Sequence, residues 1–340
     1  MKLMRTEDAV GQVICHDITQ IIKDVKKDAV FRKGHVITEE DIPVLFSIGK
    51  DNIYVWENDE NMMHENEAAE VLCAICKGDN IRRGKVKEGK IELCSEIDGV
   101  LRINREKLLA VNSFGQMMIA TRHGDFPVKK GDKLAGTRII PLVIEREKME
   151  RVKETVGDEP IMRVEPYTFH RAGIVSTGNE VFYGRIKDEF TPVVKAKLEE
   201  YGAEVAGIRV SDDNNENIEN CIRAFIDEGC DLVVCTGGMS VDPDDRTPHA
   251  IHDVCGSDVT YGAPMLPGAM FMLAYYGEKN IPVMGLPGCV MYARRTIFDI
   301  VLPRVMTGEI LKKSDFEKLG EGGLCLNCEV CNFPNCGFGK

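Results

Sequence analysis

Apolar positions recur along this chain with two different periods, and the change of period divides it. In residues 1–57 short apolar runs alternate with polar turns. Val30-Phe31 leads into Arg32-Lys33-Gly34, and Thr38 is placed to cap a helix over residues 39–47 that Gly49 stops. An apolar strand is expected over residues 53–56. The polar, acidic stretch 58–66 reads as a boundary, with a helix continuing over 68–76. Residues 77–149 hold short Val, Ile and Leu runs between Gly-bearing turns such as Glu88-Gly89-Lys90 and Lys130-Gly131-Asp132, which predicts a small β-rich domain. The charged run 145–153 reads equally as a linker or as a solvated helix face.

After Pro166 strands and helices alternate. An apolar strand over 172–176 ends in Thr177-Gly178. Thr191 is placed to cap a helix that has Pro192 at its first position and Gly202 past its end. Residues 205–210 form the next strand. An amphipathic helix over 215–228 carries Ile218, Cys221, Ile222 and Phe225 on one stripe. Residues 231–235 run as a buried-type strand into Thr236-Gly237-Gly238. Such alternation with short connections predicts a parallel sheet covered on both faces, with ligands beyond the carboxyl ends of its strands. The expected divisions are 1–60 (α+β), 61–165 (β-rich, with the linker), 166–311 (three-layer α/β) and 312–340 (a Cys-rich tail).

The 340 residues are 44% hydrophobic and 29% charged, which excludes a disordered or fibrous chain. With 43 Lys and Arg against 55 Asp and Glu, the net charge of −12 argues against a general binder of nucleic acid or anionic membrane. The longest near-apolar stretches, 264–276 and 281–293, are short for a bilayer and broken by Pro and Gly. The first thirty residues are studded with charge, so a cytoplasmic protein is expected. A homo-oligomer is also expected. Of the 13 cysteines, those scattered through the body read as small buried hydrophobes.

Three strand-end loops carry the candidate chemistry: Ser176-Thr177-Gly178-Asn179-Glu180, Thr236-Gly237-Gly238-Met239-Ser240 and Gly285-Leu286-Pro287-Gly288. Each brings small residues and hydroxyls where backbone N–H groups can approach an anion. One such loop is an ordinary tight turn; three at successive strand ends point to a phosphate-bearing ligand. The second loop continues into Asp242, Asp244 and Asp245. That acidic run suits either Mg²⁺ beside a phosphate or the N-terminus of a helix opened by Thr247-Pro248.

The ordered set resembles the molybdopterin-binding domain shared by molybdopterin molybdotransferases and molybdopterin adenylyltransferases. It comprises Ile174-Val175-Ser176-Thr177-Gly178-Asn179-Glu180-Val181, the strand end Ser211-Asp212-Asp213, residues 231–248 and Gly285-Leu286-Pro287-Gly288. The likeness covers roughly 140 of the 340 residues, an ordinary domain length. Phe31-Arg32-Lys33-Gly34-His35-Val36-Ile37-Thr38-Glu39-Glu40-Asp41 is similar to a segment of the molybdotransferases. The resemblance implies that the three loops hold the pterin and its phosphate, that Asp245, Asp242 and Asp213 are catalytic, and that Asp242, Asp244 and Asp245 hold Mg²⁺. It further implies a Mg²⁺-dependent transferase that inserts molybdate into adenylylated molybdopterin with release of AMP. Asn179 stands where molybdotransferases carry Asp, and Cys289-Val290 where they carry Asn-Pro. Their Asp-Asn-Ser-Ala-Met-Asp-Gly loop has no counterpart in residues 1–165. The missing loop and Asn179 favour the alternative of a non-catalytic carrier or sensor of finished cofactor; a further alternative, an adenylyltransferase, is favoured by Asp245-Arg246-Thr247-Pro248 and disfavoured by the long N-terminal half.

The tail is a separate signal. Cys325-x₂-Cys328-x₂-Cys331-x₄-Cys336 follows Gly322-Gly323 and gives four thiolates, enough for Zn²⁺ or an iron–sulfur cluster. Cys73-x₂-Cys76, in helical surroundings, reads as an incidental core pair.

Overall fold

The computed structural model describes residues 1–22, 26–55 and 59–340, with side chains at all of these except 21, 22, 26 and 27. Trp56 and Asn58, at the end of one expected strand and the start of one expected boundary, lie outside the described residues. The chain folds into two compact units. The first comprises Met1–Ser95, Ile103–Arg122 and Lys133–Arg163; the second Glu96–Arg102, His123–Asp132 and Val164–Lys340.

In the first unit, Lys2–Arg5 pairs antiparallel with Asn52–Val55, and Ile53, Val55, Leu45 and Phe31 share a small core. The helix Asp41–Ser47 begins two residues after the expected start. The reason is local: the Asp41 carboxylate accepts both the Thr38 N–H (2.8 Å) and its hydroxyl (2.9 Å), so Thr38 caps nothing itself. Glu65–Cys76 is a helix that buries Leu72, Cys73 and Cys76, which makes that Cys pair core. Burial pushes the Cys76 thiol up to about 12. A four-stranded antiparallel sheet follows, in the order Ile81–Arg83, Lys90–Ser95, Lys133–Ile139, Met117–Thr121.

One helix here was not expected, and one of two readings of the charged run is decided. Arg105–Ser113 sits inside the β-rich stretch, capped by Asn104, whose side chain accepts from the Lys107 N–H. The charged run 145–153 takes the helix-face reading: after Glu145 at the cap it forms the helix Arg146–Val156, which buries Met149, Val152 and Val156 on one stripe while its charges face solvent.

The second unit is built on one six-stranded sheet. Its elements in chain order are β1 Arg171–Thr177, α1 Asn179–Phe182, α2 Phe190–Glu200, β2 Glu204–Ser211, α3 Asn215–Asp227, β3 Leu232–Thr236, α4 Thr247–Cys255, β4 Val259–Tyr261, β5 Met272–Tyr276, β6 Ile281–Leu286, α5 Ile297–Met306 and α6 Lys313–Glu317. The strand order is β2-β1-β3-β6-β5-β4. Successive strand residues feed opposite cores. Ile174, Val234 and Met284 pack with Val194 and Leu198 of α2 and Phe298, Val301 and Val305 of α5. Val175, Val233 and Val283 pack with Ile218, Ile222 and Phe225 of α3 and Ile251 of α4. Period-two side chains on strands buried at both faces make this the expected three-layer α/β arrangement.

The sheet is not wholly parallel. β2, β1, β3 and β6 run parallel, whereas β5 runs antiparallel to both its neighbours, β6 and β4. β5 and β6 are joined only by the turn Gly277-Glu278-Lys279-Asn280, far too short for the crossover that a parallel pair requires. The cap of α2 also differs from the reading. Asp188, not Thr191, accepts the Phe190 and Thr191 N–H groups, at 2.9 and 3.0 Å.

The C-terminal segment is packed, not trailing. Phe316 of α6 and Phe338 are buried in the α2/α5 core, with Cys325, Phe333 and Cys336 half-buried against it. Its backbone is tied to residue 266 by Leu266 N–H to Gly323 O and Cys325 N–H to Leu266 O, both 2.8 Å.

Candidate functional site

The four parallel strands end level. Ser176 of β1 is paired with Thr236 of β3, Thr236 with Leu286 of β6, and Thr177 with Ser211 of β2. Thr177-Gly178, Asp212-Asp213, Gly237-Gly238 and Pro287-Gly288 therefore leave the sheet side by side, each about 5 Å from the next. The chain passes from β1 to β2 on one side and then to β3 on the other. The edge between β1 and β3 is thus a topological switch point, where a ligand crevice forms in sheets of this kind.

Side chains at this edge hold the loops together. Thr177 is buried; its hydroxyl donates to the Thr236 carbonyl at 3.1 Å and shares a 2.9 Å hydrogen bond with the Thr247 hydroxyl at the start of α4. The Ser176 hydroxyl is consumed internally, donating to Asp188 at 2.9 Å. Thr236 is the exception. Its hydroxyl is buried and has no hydrogen-bond partner among the described residues. An orphaned hydroxyl costs stability and is normally matched by a water or a ligand.

The glycines divide into two kinds. Gly237 has φ +86°, and a Cβ there would lie 2.1 Å from the Thr177 carbonyl oxygen, so the fold itself demands it. Gly288 is exposed, has no unusual φ, and a Cβ there would meet nothing within 4 Å. Nothing in the chain explains its lack of a side chain. Gly285 lies inside β6, not in the loop, and makes room for the buried Met239 side chain. Pro287 is buried beside it.

Carboxylates rim the edge. Asp213 Oδ2 accepts the Asn179 N–H at 2.9 Å. Burial lifts the Asp213 carboxyl above the ordinary range; that N–H opposes the shift, and the negative charges of Glu180, Asp245 and Asp212 add to it. Asp245 Oδ2 accepts the Ser240 N–H at 2.7 Å, and the Asp245 N–H donates to the Asp242 carbonyl at 3.0 Å, closing the acidic loop. Asp242, Asp244 and Ser240 are exposed, Asp245 half-buried. The expected trio of metal-ligating aspartates is not gathered. Among the described residues no group of three His, Cys, Asp or Glu side chains stands ready to hold one ion. Asp242 and Asp244 remain in solvent because the turn is closed through backbone groups and Asp245 alone.

Beside the acidic loop an open concavity of about 480 Å³ is bordered by Asp242, Asp245, His249, His252 and Tyr261. The two histidines are residues of α4. Tyr261 donates its hydroxyl to the Met239 carbonyl at 3.2 Å. Asp188, Thr247 and Tyr261 escaped the sequence reading. Asp188 lies just before an expected cap and Thr247 at an expected helix start, where the signal was read as local. The four tail cysteines line a second cavity, of about 300 Å³, to whose lining none of the three loops contributes. No helix among the described residues is long and apolar enough to cross a membrane.

Residues 173–307 match the family described as "Probable molybdopterin binding domain". Residues 3–57 match a domain of unknown function. A CinA-like protein of Mycobacterium avium is 39% identical over 93 residues, which is 27% of this chain and 21% of that protein. The matched segment thus spans about a fifth of that relative's length. Among solved structures, the molybdopterin biosynthesis enzyme MoaB of Thermus thermophilus is similar at 25% identity and TM-score 0.36, covering 43% of this chain and all of that one. The protein CinA of Thermoplasma acidophilum, titled as of unknown function, is similar at 22% identity and TM-score 0.31, covering 35% and 89%.

Proposed function

We propose that this protein, whose residues 173–307 form a molybdopterin-binding domain, binds molybdopterin at the carboxyl edge of its six-stranded sheet and acts in molybdenum-cofactor biosynthesis as a molybdotransferase-like enzyme. The observation that carries the reading is the level alignment of the strand ends around a buried, unpartnered Thr236 hydroxyl, with Gly288 open beside it. A phosphate resting on the Gly237-Gly238 turn would take backbone N–H groups and satisfy that hydroxyl.

The carboxylates fit a hard cation better than bare phosphate. Glu180, Asp213 and Asp245 repel one another, and an anionic pyrophosphate brought beside them needs compensating charge. Mg²⁺ keeps several waters and takes one or two carboxylates plus phosphate oxygens, so it needs no preformed trio. Asp245 would hold it, with Asp213 or Glu180 across the crevice. Bound there, Mg²⁺ would neutralise charge developing on the pyrophosphate of adenylylated molybdopterin as AMP leaves. Asp188 and Thr247 keep the two loops in place, and Asn179 fixes Asp213 through its N–H.

A second reading, a carrier that binds finished cofactor without turnover, is favoured by Asn179 itself, an amide at the head of α1 where the resembled enzymes carry a carboxylate. One experiment separates the two: AMP release from adenylylated molybdopterin with molybdate and Mg²⁺. Turnover supports the enzyme, whereas saturable pterin binding without AMP release supports the carrier.

A further inference from the structure

We infer that Cys325, Cys328, Cys331 and Cys336 hold an iron–sulfur cluster of the four-iron type in the cavity that they jointly border. The four thiols come from a single segment and all line one cavity of about 300 Å³. A cavity of that size bordered by four thiols from one segment has room for a polynuclear centre, each thiolate ligating a different iron. The first three cysteines have the x₂, x₂ spacing by which bacterial ferredoxin runs hold such a cluster.

The surroundings supply what that centre needs. A cluster with four thiolates is a dianion, and Arg294 lines the same cavity; Arg295 lines it too, with its guanidinium held by Asp299 at 2.8 Å. Arg294 also clamps the ligand loop, donating to the carbonyls of Cys328 (3.4 Å) and Glu329 (2.5 Å). Arg295 lies over the Phe333 ring, 5.0 Å from its centroid. Cys325 and Cys336 are half-buried against the core, while Cys328 and Cys331 project on the exposed arc between them. The segment is fixed at both ends. A Cβ on Gly322 would lie 2.2 Å from the Lys340 carbonyl oxygen, and one on Gly323 would lie 2.4 Å from that of Pro264.

Assembly balances without a further redox partner. Two ferric ions, two ferrous ions and four sulfides form the cluster core, and the four thiols ligate it as thiolates, releasing four protons to solvent. The test is anaerobic reconstitution of the full chain with ferric and ferrous iron and sulfide, followed by desalting. We expect a brown protein retaining about four irons and four acid-labile sulfides per chain, with visible absorbance that dithionite bleaches. Cys328→Ser/Cys331→Ser, at exposed positions, should lose at least tenfold of that iron with an unchanged circular dichroism spectrum. Cys94→Ser, in the first unit, should retain it. One zinc per chain without sulfide, no retained metal, or full iron in the double variant would overturn the assignment.

Discussion

The hydroxyl oxygens of Thr177 and Thr247 lie 2.9 Å apart across 70 residues of chain. Thr177 ends β1 and begins the first Gly-bearing loop; Thr247 opens the helix that follows the acidic loop. Their hydrogen bond, with Thr177 also donating to the Thr236 carbonyl, makes two loops one rigid edge. The acids of residues 242–245 are thereby held beside the glycines of residues 237–238. A site for a charged ligand built on loops gains precision from such ties, because reorganisation is avoided when the ligand arrives.

Thr236→Val tests whether the orphaned hydroxyl serves a ligand. The substitution keeps the shape and removes a buried group that has no partner, so stability should change by less than about 1 kcal/mol and in either direction. Pterin affinity should fall roughly tenfold or more, as expected when a hydrogen bond to a charged group is lost. Thermal unfolding and pterin fluorescence titration measure the two separately. Unchanged affinity would assign Thr236 to packing.

The two edge glycines should behave oppositely. Gly237→Ala places a Cβ against the Thr177 carbonyl in a left-handed backbone conformation, costing about 2 kcal/mol or more. Gly288→Ala meets open space and should leave stability within about 0.5 kcal/mol. If the pterin approaches Gly288 closely, that harmless methyl should still weaken binding. Native stability together with native affinity in Gly288→Ala would exclude the third loop from the site.

Two carboxylates at this edge should give opposite pH dependence. Burial alone would lift Asp188, but hydrogen bonds from Thr191, Ser176 and Phe190 prevail and hold it below the ordinary range. Its stabilising effect is present above the unfolded value near 4 and is lost as pH falls through the folded value. Asp188→Asn should therefore cost about 2 kcal/mol at neutral pH, with the charge-dependent part vanishing in acid. Asp213 is lifted, chiefly by burial. It destabilises increasingly as pH rises from its unfolded value through its folded one. Asp213→Asn, which can still accept the Asn179 N–H, should be more stable than the parent at pH 7 and equal to it near pH 3. Urea unfolding from pH 3 to 8 checks both signs.

Much of this edge was legible because parallel strands buried on both faces leave strong local marks: an unbroken apolar run, then small residues. Val233, Val234 and Cys235 running into Thr236-Gly237-Gly238 is such a case. What stayed hidden depends on partners distant in sequence. That Ser176 is consumed by Asp188, or that Gly285 only admits Met239, cannot be read from either neighbourhood. The helix Arg105–Ser113 was masked because it buries little beyond Val111, leaving no apolar stripe to count. The antiparallel turn of β5 into β6 was likewise hidden, since both strands carry the same apolar run whichever way they pair.

Asp245→Asn bears most directly on the chemistry. Asp245 has two oxygens with different tasks: Oδ2 accepts the Ser240 N–H, and Oδ1 is the atom available to a cation. An Asn carbonyl oxygen can keep the first bond, so the loop should hold and stability should change by no more than about 1 kcal/mol. The lost charge should raise the Mg²⁺ concentration needed for AMP release by tenfold or more, because an amide oxygen is a far weaker ligand for a hard dication than a carboxylate. Asp244→Asn, at an exposed position outside the turn's hydrogen bonds, serves as the control and should leave the Mg²⁺ titration unmoved. Native Mg²⁺ dependence in Asp245→Asn would make the residue a loop clamp only, and would shift the candidate ligand to Asp213 and Glu180 across the crevice.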